Sequence, residues 1–317
     1  MFLVANFIVC AAAGALVNIT SFNMLAEMWL GGYTSNGQQL RWYRGVDVAV
    51  FQRSRRVVGQ LEYLAACVDE MQIVALQEVT AFEFNMTQRL FGERFKGFWA
   101  QNAPSYWANQ VIAPERTWEP NGNAVYVSKS AFDSIAFTDA MLSNTGNHGA
   151  LFRGRHTASG RWVRVLSVHF DDASDTKRER EARAAIALLP EQQAQHTDVI
   201  VGDINSGVKS AVTGVQRQVF TDFFAAGFKD VATELGKATT ATHPWNVYVD
   251  ATRPDGYPSY DPAIDHFVVR NVAGQSAYRV RNFNTESIAD ETARIERTVD
   301  RGGSDHFSLR ATLELPN

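Results

Sequence analysis

The chain has 317 residues, 45% of them apolar and 20% charged, the composition of an ordinary globular protein with enough material for a large core without disulfide or metal staples. That length permits one or two domains. A formal net charge of -4 excludes a global basic field drawing the chain to nucleic acid, although a local groove can still be basic on an acidic protein.

Residues 1–15, MFLVANFIVCAAAGA, carry no charged side chain and end on small residues. This reads as a secretory signal peptide cut after Ala15, which leaves 16–317 as one domain. The basic n-region is missing, and the other reading is a buried first strand. The first implies a secreted or lumenal protein, the second a cytoplasmic one. A stable membrane anchor is not expected, because spanning needs about 20 apolar residues. Cleavage would remove Cys10 and leave Cys67 as a single thiol, so no intramolecular disulfide could form. Asn18-Ile-Thr and Asn85-Met-Thr match the glycosylation sequon, the first inside an expected strand.

Residues 16–22 read as a strand. Val57, Leu61, Leu64 and Val68 recur at helical spacing, so 53–69 reads as a helix. Short strands are expected at 73–76, 123–127 and 162–169, then a helix at 176–189 with a charged start. A strand at 198–201, a helix at 217–226, and strands at 264–269 and 308–315 complete the pattern. Residues 31–52 and 102–119, rich in Gly, Trp, Tyr and Pro, read as long ordered loops that shape a site. Their tryptophans, Trp29 beside the first loop with Trp42, Trp107 and Trp118, default to core or rim packing and could alternatively stack bases or meet lipid headgroups. No repeat or linker divides the chain. The pattern predicts one α+β domain with two packed sheets and outer helices.

Polar clusters interrupt this rhythm directly after strands: Ser21-Phe22-Asn23, Gln77-Glu78-Val79, Asn121-Gly122-Asn123, Ser167-Val168-His169, Gly202-Asp203-Ile204-Asn205 and Ser304-Asp305-His306. Ile264-Asp265-His266 sits inside an apolar run. A hard cation such as Mg²⁺ takes carboxylates plus substrate phosphate oxygens. Phosphoryl chemistry adds neutral donors, an oriented water and an imidazole near the developing charge. The inventory matches that list and lacks the His/Cys density of a zinc site. Each cluster alone reads as a strand-end pair, a turn or a cap; their order along the chain does not.

In that order, SFN–QE–NGN–SVH–GDIN–IDH–SDH resembles the endonuclease/exonuclease/phosphatase superfamily, and the resemblance covers nearly the whole chain after the leader. It implies a DNase I-like, four-layer α/β/β/α sandwich of two packed, mainly antiparallel sheets flanked by helices. SFNMLAE is similar to the deadenylase branch, and Ser-Val-His to the DNase I, sphingomyelinase and inositol phosphatase branches. The resemblance implies Mg²⁺ or Mn²⁺ as cofactor and a phosphodiester substrate, nucleic acid among the candidates, with no obligate protein partner. Glu78 would be the principal metal ligand and Asn23 would position metal-bound water or a carboxylate. Asp305 would hold metal or support the site. Asp203 would orient or deprotonate the attacking water, and Asn205 would hold a phosphate oxygen. His169 would donate to the phosphate or leaving group. His306 would contact the scissile phosphate, its tautomer fixed by Asp265, and Asn123 would contact substrate.

His266 reads as a packing or surface histidine, and Asp171 and Asp172 as a solvated loop. Lys177, Arg178 and Arg180 read as a solvated helix start, with contact to a polyanion as the alternative. The expected function is a metal-dependent phosphodiesterase or nuclease. A sphingomyelinase-like lipid phosphodiesterase or small-molecule phosphatase is the alternative. A dead binding scaffold would need a lost site residue, and none is lost.

Overall fold

Runs such as Ile73–Thr80, apolar for most of their length, can be satisfied only by strands covered on both faces. The computed structural model describes residues 15–25, 53–104, 120–191, 196–210, 213–238, 242, 263–281, 304 and 306–316. Residues 1–14 of the leader, Trp29, Trp42, Trp107, Trp118 and Asp305 lie outside them.

The first sheet holds β1 (Leu16–Asn23), β2 (Ile73–Thr80), β3 (Phe95–Gln101), β4 (Asn121–Ser128), β11 (Gly274–Arg281) and β12 (Ser308–Glu314), in the order β11-β12-β1-β2-β4-β3. The second holds β5 (Phe132–Met141), β6 (His148–His156), β7 (Trp162–His169), β8 (His196–Asp203), β9 (Lys229–Asp230) and β10 (Asp265–Arg270), in the order β5-β6-β7-β8-β10-β9. Each sheet contains one parallel pairing, β1 with β2 and β7 with β8, and is otherwise antiparallel. The two parallel pairs bring the carboxyl ends of β1, β2, β7 and β8 to the same end of the sandwich, with β2 facing β7 and β8.

Between the sheets lies the main core, with Ile73, Ala75 and Val125 against Phe152, Val165 and Val201. The helices α1 (Arg53–Cys67) and α2 (Ala81–Phe91) cover the first sheet, burying Leu64 and Phe91 over Val74 and Leu76. On the other side α3 (Asp175–Leu188) and α4 (Gln218–Ala225) cover the second, with Ala182, Ala185, Phe220 and Phe223 over Leu166 and Ile200. A short α5 (Val231–Glu234) follows β9. This is the expected four-layer α+β sandwich. Among the described residues no helix is long and apolar enough to cross a membrane.

The elements missing from the sequence reading are the helices α2 and α5 and the strands β3, β5, β6, β9 and β11. Four of these strands are the outer edges of the two sheets, where one flank is unpaired and the apolar pattern is diluted. The solvated-loop reading of Asp171 is also corrected. The residue is 3% exposed, its Oδ1 accepts the N–H groups of Ala173 and Ser174, and Lys177 Nζ donates to its Oδ2 at 2.9 Å. Arg178 is likewise buried, donating to the carbonyls of Asp171 and Asp172, so it is a structural clamp and not a solvated charge. Arg180 is exposed as expected.

Two buried ionic knots fix the helices. Arg164 and Arg270 both grip Asp198, and Arg270 also donates to the carbonyls of Leu189 and Ala226, the C-caps of α3 and α4. That places cationic groups where the helix dipoles are negative. On the other face Glu83 forms a capping box with Thr80 at the start of α2 and pairs with Arg56 of α1 at 2.7 Å. Arg56 and Gln60 both donate to the Met24 carbonyl, directly after Asn23. Both partners of the Arg56–Glu83 pair are fully buried, so removing one strands the other. Glu83→Ala is therefore expected to cost roughly 3–5 kcal/mol, read from urea denaturation, whereas breaking the solvent-exposed Lys129–Glu93 pair is expected to leave the midpoint unchanged.

Candidate active site

Strand alternation would send Gln77 and Glu78 to opposite faces of the sheet. A bulge prevents it. Leu76 pairs with Ala124 and Val79 with Gly122, so two residues of β2 stand opposite the single Asn123. Glu78 takes a left-handed backbone, φ 57°. Gln77 crosses to the second sheet, donating to Ser167 Oγ at 3.0 Å, and Glu78 turns into the mouth between the sheets. The adjoining approach of the second sheet requires glycine. At Gly202 φ is 136°, and a Cβ would lie 2.1 Å from the Val168 carbonyl oxygen and 2.9 Å from Gln77 Nε2.

Asn23, at the end of β1, is the hub. Its Nδ2 donates to Glu78 Oε1 at 2.9 Å and to Asp203 Oδ2 at 3.1 Å, and lies 3.4 Å from His306 Nε2. Its Oδ1 accepts the Leu25 N–H at 3.0 Å, so the amide nitrogen is the end that faces the carboxylates. His169 stands between the same two acids, Nδ1 3.8 Å from Glu78 and Nε2 3.6 Å from Asp203. On the other flank His306 Nδ1 pairs with Asp265 Oδ2 at 2.9 Å, and its Nε2 lies 3.5 Å from Asp203. Proton donation from Nδ1 to Asp265 leaves Nε2 as the atom facing the site. Ser304 Oγ donates to the Asn23 carbonyl and accepts the His306 N–H, which locks this turn to β1.

These groups form two overlapping sets that could hold a cation, Glu78–His169–Asp203 and Asp203–Asp265–His306, whose ligand atoms lie within 4.8 Å of one another. All are buried. Burial pushes the Asp203 carboxyl up to about 6; His306 and His169 pull it back, while Asp265 adds to the rise. Oxygen-rich donors of this kind fit a hard divalent cation.

Asn205, also left-handed at φ 53°, donates its backbone N–H to Asp203 Oδ1 and its Nδ2 to the Phe170 carbonyl. Asn123 is buried on β4, donating to the His148 carbonyl at 2.7 Å. His266 packs inside the fold. Its Nδ1 meets Asp230 at 2.9 Å, and its Nε2 faces the carbonyls of Ser206 and Ala263. Burial works against its charge, but Asp230 outweighs it and raises the imidazole above its ordinary value. Sequence reasoning missed Thr242, whose Oγ1 accepts the N–H groups of Ile264 and Asp265 and so sets the start of β10. A lone threonine between unassigned segments carries no signal for that role.

It also missed Glu181. From α3 this residue accepts Asn147 Nδ2 at 2.8 Å and the Asp171 N–H at 2.7 Å, while Asn147 Nδ2 also donates to the His169 carbonyl. Burial raises its carboxyl from 4.5 to about 7. The folded state therefore binds this proton more tightly than the unfolded chain, and stability falls as pH climbs from about 4.5 to about 7. Glu181 is expected to account for about 3 kcal/mol of that fall. In Glu181→Gln the denaturation midpoint should lose this share of its pH slope, and an unchanged slope would show that Glu181 does not titrate in this window.

A sequence model described as the Endonuclease/Exonuclease/phosphatase family matches residues 21–306. No curated protein matches the chain. Among solved structures, the human Nocturnin catalytic domain with bound sulfate superposes with TM-score 0.61 at 14% identity, covering 95% of this chain and 94% of that one. TDP2 of D. rerio complexed with single-strand DNA product gives 0.56 at 13%, covering 94% and 99%. The mannosyl-6-phosphatase Bt3783 of Bacteroides thetaiotaomicron gives 0.56 at 14%, covering 94% and 99%. At these identities the likeness shows a shared fold. The match from Ser21 to His306 takes in every polar cluster described above, and the chain belongs to the endonuclease/exonuclease/phosphatase family, whose members are generally phosphoester hydrolases.

Proposed function

We propose that the protein is a divalent-metal-dependent phosphodiesterase of the nuclease type. The observation that carries this reading is the Asn23 amide holding Glu78 and Asp203 together between two imidazoles. The cation would be Mg²⁺ or Mn²⁺, held by Glu78 with Asp203 and its neighbours. It would supply charge neutralisation for the phosphate and its anionic transition state.

The chain's own residues do the rest. Asp203 orients the attacking water and takes its proton, held in place by the Asn23 amide and the Asn205 N–H. His169 donates to the phosphate or leaving group, and His306, its Nδ1 held by Asp265, presents Nε2 to the scissile phosphate group. Asn205 keeps one amide hydrogen on Phe170 and offers the other to a phosphate oxygen. Asn123 fixes the wall beside this cluster. Asp305, next to His306 in sequence, is a further metal or supporting carboxylate in this proposal. The Nocturnin structure carries sulfate and the TDP2 structure a single-strand DNA product, which supports an anionic, phosphate-bearing substrate here.

Asp203→Asn and His306→Ala are each expected to lower phosphodiester turnover by at least about 100-fold with the far-UV circular dichroism unchanged. Wild-type rates in either variant would overturn the assignment. Dialysis against excess chelator should stop hydrolysis and added Mg²⁺ or Mn²⁺ should restore it; turnover that persists in chelator would mean different chemistry.

A further inference from the structure

The site residues of the second sheet stand abreast. Asp265 of β10 pairs in register with Asp203 of β8, and Asp203 with His169 of β7. The next ladder pairs Ala150 of β6 with Ser167 of β7. Two residues further along both strands, His148 falls opposite His169, and Asn147 Nδ2 ties the two ends by donating to the His169 carbonyl. Opposed residues of an antiparallel pair project to the same face. Ala150 and Phe152, which share the parity of His148, lie in the core between the sheets. His148 therefore extends the row of Asp265, Asp203 and His169 by one strand, along the same mouth.

Its surroundings are built. The His148 N–H donates to Asn102 Oδ1 at 2.8 Å and its carbonyl accepts Asn123 Nδ2 at 2.7 Å, so two asparagines, one directly after β3 and one on β4, pin its backbone. Its Nδ1 pairs with Asp139 of β5 at 2.6 Å. A surface ion pair would account for the Asp139 contact but not for the pinned backbone. With Nδ1–H committed, Nε2 is the ring atom left for a ligand, and the His148 side chain is 20% exposed. Strands are spaced by about 4.8 Å, so the row from β10 to β6 runs for roughly 14 Å. One phosphate on the Glu78–Asp203 cluster does not fill that length.

We propose that His148, set by Asp139, forms a second phosphate subsite that takes the phosphate flanking the scissile one in a chain of phosphodiesters. Asp139 holds the ring through Nδ1, and Nε2 faces that phosphate. This rests on the phosphodiesterase reading and narrows it to oligonucleotide-like substrates over those with a single phosphate.

The test compares a single-stranded DNA tetranucleotide with bis(4-nitrophenyl) phosphate, which has one phosphate. In His148→Gln, KM for the tetranucleotide is expected to rise by about tenfold, the worth of one charge-assisted hydrogen bond, with kcat within about twofold. The aryl diester should be unaffected in both constants. Asp139→Asn should shift the tetranucleotide KM in the same direction by about threefold. Equal losses on both substrates, or no loss on either, overturn the subsite. Should the wild-type protein hydrolyse neither substrate, the phosphodiesterase reading fails on its own. The subsite is then judged by anisotropy of a fluorescein-labelled tetranucleotide, where equal Kd for wild type and His148→Gln overturns it and a tenfold weakening upholds it.

Discussion

Two carboxylates from opposite sheets meet at the mouth of this sandwich, Glu78 from β2 and Asp203 from β8, and like charges in a buried space repel. What holds them together is the Asn23 amide, which gives a hydrogen to each. Everything around the site serves that contact. Arg56 and Gln60 grip the carbonyl of the following residue, Ser304 grips the Asn23 carbonyl, and Leu25 occupies the amide oxygen so that the nitrogen must face the acids. The two sheets are thereby joined at this end by polar bonds, above a core that is otherwise apolar.

Beneath the hub lies a second polar layer. Ser21 donates to Gln77 Oε1, and Gln77 donates across the interface to Ser167. Buried amides and hydroxyls are tolerated only when paired, and here the pairing also sets how closely the sheets approach. Gly202 permits that closeness. A larger residue would push β8 from β7 and carry Asp203 with it.

The parts of this arrangement readable from sequence are those with strong local signals. Interior strands are covered on both faces and spell continuous apolar runs, so β1, β2, β4, β7, β8, β10 and β12 were expected near their observed positions. The acid, amide and imidazole clusters at one end of each stood out because polar residues are costly there without a purpose. Edge strands such as β5, with six of its ten residues exposed, spell no such run. β6 carries arginines in its outward positions and was lost in the same way. That loss concealed His148, whose place beside His169 is visible only once β6 is paired with β7. Glu181 and Arg178 were hidden for another reason. Their charges on a helix look solvated until the loop after β7 folds back over them. Nor could spacing reveal the bulge, since Gln77 and Glu78 are ordinary neighbours in the chain and share a destination only through the left-handed turn at Glu78.

That turn separates two tasks that a regular strand would entangle. Because Glu78 leaves the alternation and Val79 takes up the helix-facing position, the packing of α1 and α2 against the first sheet continues without interruption past the site. Substitutions that retune the helical layer can accumulate without turning the carboxylate, and changes at the mouth can accumulate without loosening the helices. Inserted or deleted residues are a different matter. A one-residue slip in β2 would exchange the two layers at once, so the segment 73–80 is closed to changes of length, whatever side chains its helix-facing positions carry.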